Sequence, residues 1–223
     1  MLTGIKNLFF PRKCILCGKL LDNHQTDICG NCRQTVPEYP RSKIKFSFLA
    51  QWTALWYYKD DVRSSLLRYK FYDRRGYASV YGRLLAMRLQ ASNMQDFDIL
   101  TWIPIARLRR IRRGYDQVEL IAKAVAKELG IQAVPTLKKV RNTKPQSTLK
   151  DASQRKANVL GAYVPLDSVQ LRDKRVLLLD DIITTGATAS ECARVLLTAG
   201  AKEVYCATLA VAHHDTKNMK KCR

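Results

Sequence analysis

The sequence predicts an α/β protein built on a mostly parallel sheet, with a small cysteine-held module at its amino terminus. Three observations point there. Strand-like and helix-like segments alternate from about residue 55 to residue 211, the pattern of a sheet covered on both faces. The run Val176-Leu177-Leu178-Leu179 is apolar without alternation, as a strand buried on both sides requires. Cys14-x-x-Cys17 and Cys29-x-x-Cys32 form two knuckles near the start, in a stretch with almost no core of its own.

The knuckles come first in chain order. Eleven residues separate them, and Gly18 and Gly30 lie beside the second and third cysteines to permit tight turns. Four thiolates so arranged suit a tetrahedral zinc ion, and metal binding would supply the folding free energy that burial cannot. The separation is shorter than the commonest four-cysteine spacing. A zinc ribbon over residues 1–36 is therefore expected, with Cys14, Cys17, Cys29 and Cys32 as ligands. Paired disulfides are the competing reading and need an oxidising compartment. Leu8-Phe9-Phe10 is far too short for a signal-peptide core, and no run approaches a membrane span, so a cytoplasmic location without membrane insertion is expected. A redox site is disfavoured because neither pair lies in a strand-helix unit. His24, between the knuckles, reads as a surface residue.

Pro37, Pro40 and several charges mark Val36–Ser47 as a linker, and 37–60 as linker plus first strand, with Leu55–Tyr58 strand-like. The main domain is expected over 61–212. Its pattern reads as helices 61–71 and 76–92, strand 98–103, helix 115–129 closed by Gly130, and short strands near 134–138 and 161–164. Strand 175–181, helix 187–199 and strand 203–211 complete it. Cys192 and Cys206 fall at positions of small buried hydrophobes. The tail 213–223, with His213-His214, is polar and basic, and reads as frayed rather than as a metal site.

Charge narrows the function. The chain has 223 residues, with 39 Lys and Arg against 19 Asp and Glu, a net charge of +20. This implies a polyanionic partner, whether nucleic acid, a phosphorylated small molecule, or both. Arg107, Arg109, Arg110, Arg112 and Arg113 fall within seven positions, and Lys138, Lys139, Arg141, Lys144, Lys150, Arg155 and Lys156 form a second cluster. Either alone reads as a solvated face; as two loops flanking one phosphosugar motif they read as anion-binding. Trp56, Tyr57, Tyr58, Tyr69, Phe71 and Tyr72 are interleaved with Lys59, Arg63, Arg68, Lys70, Arg74 and Arg75. Stacking beside cations is how proteins grip single strands, yet the strand and helix periodicity favours these rings as core.

That phosphosugar motif is Val176 to Thr188: an apolar strand, Asp180-Asp181, two apolar residues, then Thr184-Thr185-Gly186-Ala187-Thr188 opening a helix. Adjacent carboxylates at a strand end can accept hydrogen bonds from a vicinal diol, as a ribose offers. The loop places backbone N–H groups and threonine hydroxyls where they can hold a phosphate, and Gly186 permits strained torsions and close approach to the ligand.

The thirteen-residue stretch resembles the ribose-phosphate fingerprint of type I phosphoribosyltransferases. With the four-cysteine ribbon, Lys70-Phe71, Pro104 through Arg113-Gly114-Tyr115-Asp116-Gln117, and Arg141, Thr143, Gln146, Leu149, Arg155 and Asn158, nearly the whole chain is similar to the ComF family of competence-associated proteins. The resemblance implies a ribbon joined to a phosphoribosyltransferase fold that binds phosphoribosyl pyrophosphate (PRPP) with Mg2+. Arg107 and its neighbours would face pyrophosphate, and Arg141–Asn158, with Gln146 and Arg155, would form a hood. It further implies a cytoplasmic role in DNA uptake and natural transformation, with single-stranded DNA, a ComFA-like helicase and a DprA-like recombination mediator as partners. Two alternatives stand beside it: an active phosphoribosyltransferase with an acceptor of unknown identity, and a zinc-ribbon adaptor with a vestigial sugar site.

Overall fold

The computed structural model describes residues 12–22, 24–40, 44–143, 149, 151–167 and 169–212. The elements are α1 (Gly30–Thr35), β1 (Gln51–Tyr57), α2 (Asp60–Phe71), α3 (Tyr77–Ala91), β2 (Ile99–Trp102), α4 (Arg107–Arg113), α5 (Gln117–Leu129), β3 (Leu137–Lys139), α6 (Ala152–Val159), β4 (Tyr163–Pro165), β5 (Arg175–Ile183), α7 (Ala187–Thr198) and β6 (Glu203–Val211). Among the described residues four strands form one parallel sheet in the order β1-β6-β5-β2, so the fold is the expected α/β class.

β5 explains why the site sits where it does. Its side chains alternate between the sheet faces, and both faces are covered. Leu177 and Leu179 join a core with Leu66, Leu85 and Ile121 on one side, while Val176 and Leu178 join a second core with Cys192 and Leu196 on the other. A strand buried this way has no solvent-facing row: after Arg175 at its start, its polar residues, Asp180 and Asp181, come only near its carboxyl end. β2 pairs with β5 through Trp102↔Leu179, so both strands run out at the same edge and their following loops face each other.

Helix ends follow their local chemistry. Asp116 caps α5 by accepting from the N–H groups of Val118 (2.9 Å) and Glu119 (3.2 Å), and Gly130 closes it at φ 68°, as a left-handed C-terminal residue should. Asp151 caps α6 through the Gln154 N–H at 2.7 Å. Two helices fall where the sequence suggested loops. α4, with five arginines in seven residues, has no buried residue and hence no apolar stripe to announce it. α6 occupies part of the second basic cluster. The short strands β3 and β4 pair antiparallel with each other and form a ribbon apart from the main sheet.

The cysteine module shares the main core. Cys14, Ile15, Leu16, Ile28, Cys29 and Cys32 pack in one cluster with Val62, Leu66, Tyr69 and Tyr81. Ile15 presents its carbonyl to Ser65 and Arg68, and Arg68 also reaches the Leu16 carbonyl. Arg83 forks onto Asp27 at 2.7 Å, a bidentate pair of the stronger kind. The linker is likewise pinned: Tyr39 stacks on Trp52 at 5.4 Å, Phe46 lies 4.9 Å from Trp52, and the Trp52 indole donates to the Ile44 carbonyl at 2.8 Å.

α3 crosses α5 at Gly82, where an added Cβ would lie 2.4 Å from the Ala124 Cβ and 2.9 Å from the Val125 nitrogen. Gly82→Ala is expected to lower stability by about 1–3 kcal/mol, overpacking outweighing the gain in helix propensity. Urea denaturation of the two proteins is the check, and an unchanged or raised midpoint contradicts it.

Candidate functional site

At the carboxyl edge of β5 the chain opens onto a cavity of about 470 Å3. Asp180 and Asp181, the Thr184–Thr188 loop, and Arg109, Arg112 and Arg113 all line it. Asp181, 6% exposed, receives Lys70 Nζ at 2.8 Å and the Gln117 amide at 3.1 Å. Gln117 in turn accepts from Arg113 at 2.7 Å. Asp180 accepts the Asp181 N–H at 2.8 Å and faces the cavity with Lys139 and Tyr163 of the antiparallel ribbon. Burial, together with the adjacent Asp181 carboxylate, pushes Asp180 up to about 8. One acid is thus anchored by protein cations and amides, and its neighbour keeps unspent acceptor capacity.

Among the described residues, the loop leaves polar groups without protein partners. Gly186 precedes α7 at φ 74°, in the left-handed region that glycine occupies freely. Having no side chain, it leaves the first N–H groups of the helix to another partner. The Thr185 hydroxyl is buried with no hydrogen-bond partner among the described residues, a cost that a ligand oxygen would remove. The space beside Gly186 is taken by the Phe46 ring, whose edge would lie 2.3 Å from an added Cβ. The close approach that glycine permits here is therefore to the linker segment.

The other residues singled out in the sequence divide. Asp180, Asp181, Thr184, Thr185, Gly186, Ala187 and Thr188 are brought together, and Arg109, Arg112 and Arg113 join them. Arg107 and Arg110 sit on the exposed side of α4, with Arg110 3.5 Å from Glu119. Arg141 donates to the Asn158 and Leu160 carbonyls, and Arg155 donates to the Leu149 carbonyl, so both brace their own segment. Lys144, Gln146, Lys150 and the tail 213–223 lie outside the described residues. Tyr115 and Asp116 are structural: the Tyr115 hydroxyl bonds the Tyr69 carbonyl, and Asp116, 4% exposed, also accepts the Ile105 N–H at 3.0 Å.

Among the other lining residues, Lys70 and Gln117 were not singled out as site residues from the sequence, and Lys139 only as one member of a basic cluster. Lys70 and Gln117 belong to segments that carry the family resemblance and could have been found there. Lys139, lowered to about 8 by burial and by Arg109, sits in a basic cluster whose charges look alike in sequence.

The four cysteines also converge. Their sulfurs lie within 4.8 Å of one another, and Cys17 and Cys29 are 3.7 Å apart, close to the roughly 3.8 Å edge of a tetrahedron with 2.3 Å metal–sulfur bonds. The Cys29 N–H points at the Cys14 sulfur (3.4 Å), which favours the Cys14 thiolate, and the Cys32 N–H points at the Cys29 sulfur (3.5 Å). This donor set could hold a metal such as zinc. His24 is exposed and outside the cluster.

Raising a carboxyl pKa in the folded state costs stability as pH increases. The unfolded chain releases the Asp180 proton near the ordinary 3.8, and the folded chain near 8, so the folded state binds more protons between these values and stability falls across that window. Asp180→Asn removes this cost while its amide oxygen still accepts the Asp181 N–H. The variant is expected to match the parent near pH 4 and to exceed it increasingly as the pH rises toward 8. Melting curves across pH that stay parallel contradict this.

Residues 119–223 match the phosphoribosyl transferase domain model. The chain is 26% identical over 205 residues to competence protein F of Haemophilus influenzae, covering 89% of this chain and 84% of that protein. It is 28% identical to competence protein ComFC of Streptococcus pneumoniae, covering 86% and 96%. It is 29% identical to the DNA utilization protein YhgH of Salmonella typhimurium, covering 86% and 82%. The chain thus joins a phosphoribosyltransferase domain to a four-cysteine cluster, and over most of its length it is similar to competence and DNA utilization proteins.

Proposed function

We infer that this protein is a competence-related DNA-handling factor whose cavity binds PRPP or a closely related pentose phosphate. One observation carries the reading: paired aspartates at a strand end line one cavity together with the Thr184–Thr188 loop at a helix start and with Arg109, Arg112 and Arg113. A pentose seated on Asp180 and Asp181 has its 5-phosphate at the Thr184–Thr188 loop and its C1 substituent toward the arginines. Those cations match a pyrophosphate, and Mg2+ bound to that group would spread its charge further. The names of the relatives, competence proteins and a DNA utilization protein, support a role with incoming DNA. The net charge of +20 supports single-stranded DNA as a second ligand. A ComFA-like helicase and a DprA-like recombination mediator are the partners proposed from the resemblance. A cytoplasmic location accords with this role, and among the described residues no helix is long and apolar enough to cross a membrane.

Phosphoribosyl transfer itself is the second reading, supported by the domain match and by the arginines poised at the leaving-group end. It requires an acceptor that attacks C1 as the pyrophosphate departs. For the cysteine cluster we propose zinc in a structural role, because four sulfurs complete a tetrahedral shell and leave no open position.

Saturating PRPP with Mg2+, at about 100 times its dissociation constant, is expected to add ~2.7 kcal/mol of stability and raise the melting temperature by several degrees. Asp180→Asn combined with Asp181→Asn is expected to abolish the shift; a shift that survives the double change removes the assigned site. Elemental analysis is expected to find one zinc per chain. Stripping it with a chelator, or changing Cys14 to Ser, is expected to lower the melting temperature by ten degrees or more, since structural zinc contributes folding free energy directly. A protein whose melting is indifferent to chelation refutes the metal site.

A further inference from the structure

The most unusual surface of the molecule lies at the mouth of the cavity. Helix α2 buries Val62, Leu66 and Tyr69, positions spaced by four and three residues on one face. Phe71 follows Tyr69 by two residues, roughly 200° further round the helix, and cannot share that face. It is 58% exposed and Tyr72 is 70% exposed, whereas Trp56, Tyr69 and Tyr81 are no more than 6% exposed. Phe71 nonetheless lines the same cavity as Lys70, Asp181 and the phosphate loop.

The ring is also held in place. The Arg113 guanidinium lies 5.0 Å from its centroid, and Arg113 is itself fixed by its 2.7 Å bond to Gln117. A cation on one face orients an aromatic ring and leaves its other face for a ligand. Outside the cavity lining, α4 continues the cationic surface with exposed Arg107 and Arg110, beside which Leu108 (62%) and Ile111 (66%) are also exposed. A planar aromatic platform next to a row of cations is the arrangement that holds single-stranded nucleic acid, bases on the ring and phosphates on the arginines.

We propose that Phe71, seated on Arg113, is a base-stacking site that takes one nucleobase of a single strand, whose flanking phosphates run along α4. The arginines decide between sources of the base. A free nucleobase has no charge to offer Arg107 or Arg110, neither of which lines the cavity, whereas a strand supplies a phosphate at every nucleotide. The inference deepens the DNA-handling role above, and it rests on the phosphosugar reading only for what the stacked base meets inside the cavity. There, a base held at the mouth would stand beside the C1 end of a bound pentose phosphate.

The test uses the full metal-replete chain and an oligodeoxythymidylate carrying one 2-aminopurine, whose fluorescence is quenched on stacking. Phe71→Ala is expected to lose most of the quenching and weaken the oligonucleotide about tenfold, and Phe71→Trp to keep both. Phe71 is exposed, so neither variant threatens the core. Quenching and affinity unaltered in Phe71→Ala overturn the proposal. So does quenching of free 2-aminopurine riboside monophosphate with no response from the oligonucleotide, or binding to phosphatidylserine vesicles alone. Calorimetry with PRPP, run in parallel on the unaltered protein, separates the two readings. PRPP heat without base quenching overturns the stacking site and leaves the cavity assignment; Phe71-dependent quenching without PRPP heat supports the stacking site and removes the cavity assignment.

Discussion

Two neighbouring carboxylates at the end of a strand walled in on both faces constitute the constraint around which the molecule is organised. Like charges at adjacent residues repel, and burial raises the cost. The fold answers unequally. Asp181 is tied to Lys70 from α2 and to Gln117 from α5, so helices from separate parts of the chain must converge on one carboxylate. Asp180 is left with its pKa pushed up, a standing destabilisation in the free protein. Such local strain is tolerated where it serves a site and is offset elsewhere, here by the doubly covered β5.

Much of this was legible in the sequence because its physical signature is local. An apolar run without alternation can only be a buried strand or helix segment, and the acids and threonines after it mark the strand end. The knuckles announce themselves by spacing. What escaped was whatever depends on tertiary packing. α4 is a helix without an apolar stripe, so periodicity has nothing to detect. The five arginines of α4 are indistinguishable in sequence, and only the helix geometry brings Arg109, Arg112 and Arg113 to the cavity and leaves Arg107 and Arg110 off it. The aromatic segment was divided in a similar way. Trp56 and Tyr69 became core as expected, while Phe71 and Tyr72 fell past the buried stripe of α2 and remained on the surface.

The cysteine module illustrates how a mini-domain with little core of its own is accommodated. Its carbonyls at Ile15 and Leu16 are taken up by Ser65 and Arg68, and Ser65 also bonds the Tyr81 hydroxyl at 2.6 Å. These contacts come from the same helix that, one further turn along, supplies Lys70 to Asp181. A single helix thus carries the docking surface for the knuckles and a cation of the cavity, which makes its placement a shared requirement of both.

The Phe46 ring behind Gly186 ties together two segments that look unrelated in sequence. A proline-flanked stretch between modules is ordinarily free to drift, gaining and losing residues with little consequence. Here residue 46 forms the back wall of the loop that would cup a phosphate, so bulk at one position forbids bulk at the other. Inheritance of the two should therefore be concerted: lineages that vary the aromatic at 46 are expected to rebuild the turn at 186 with it, and lineages that keep the glycine are expected to keep a flat side chain behind it.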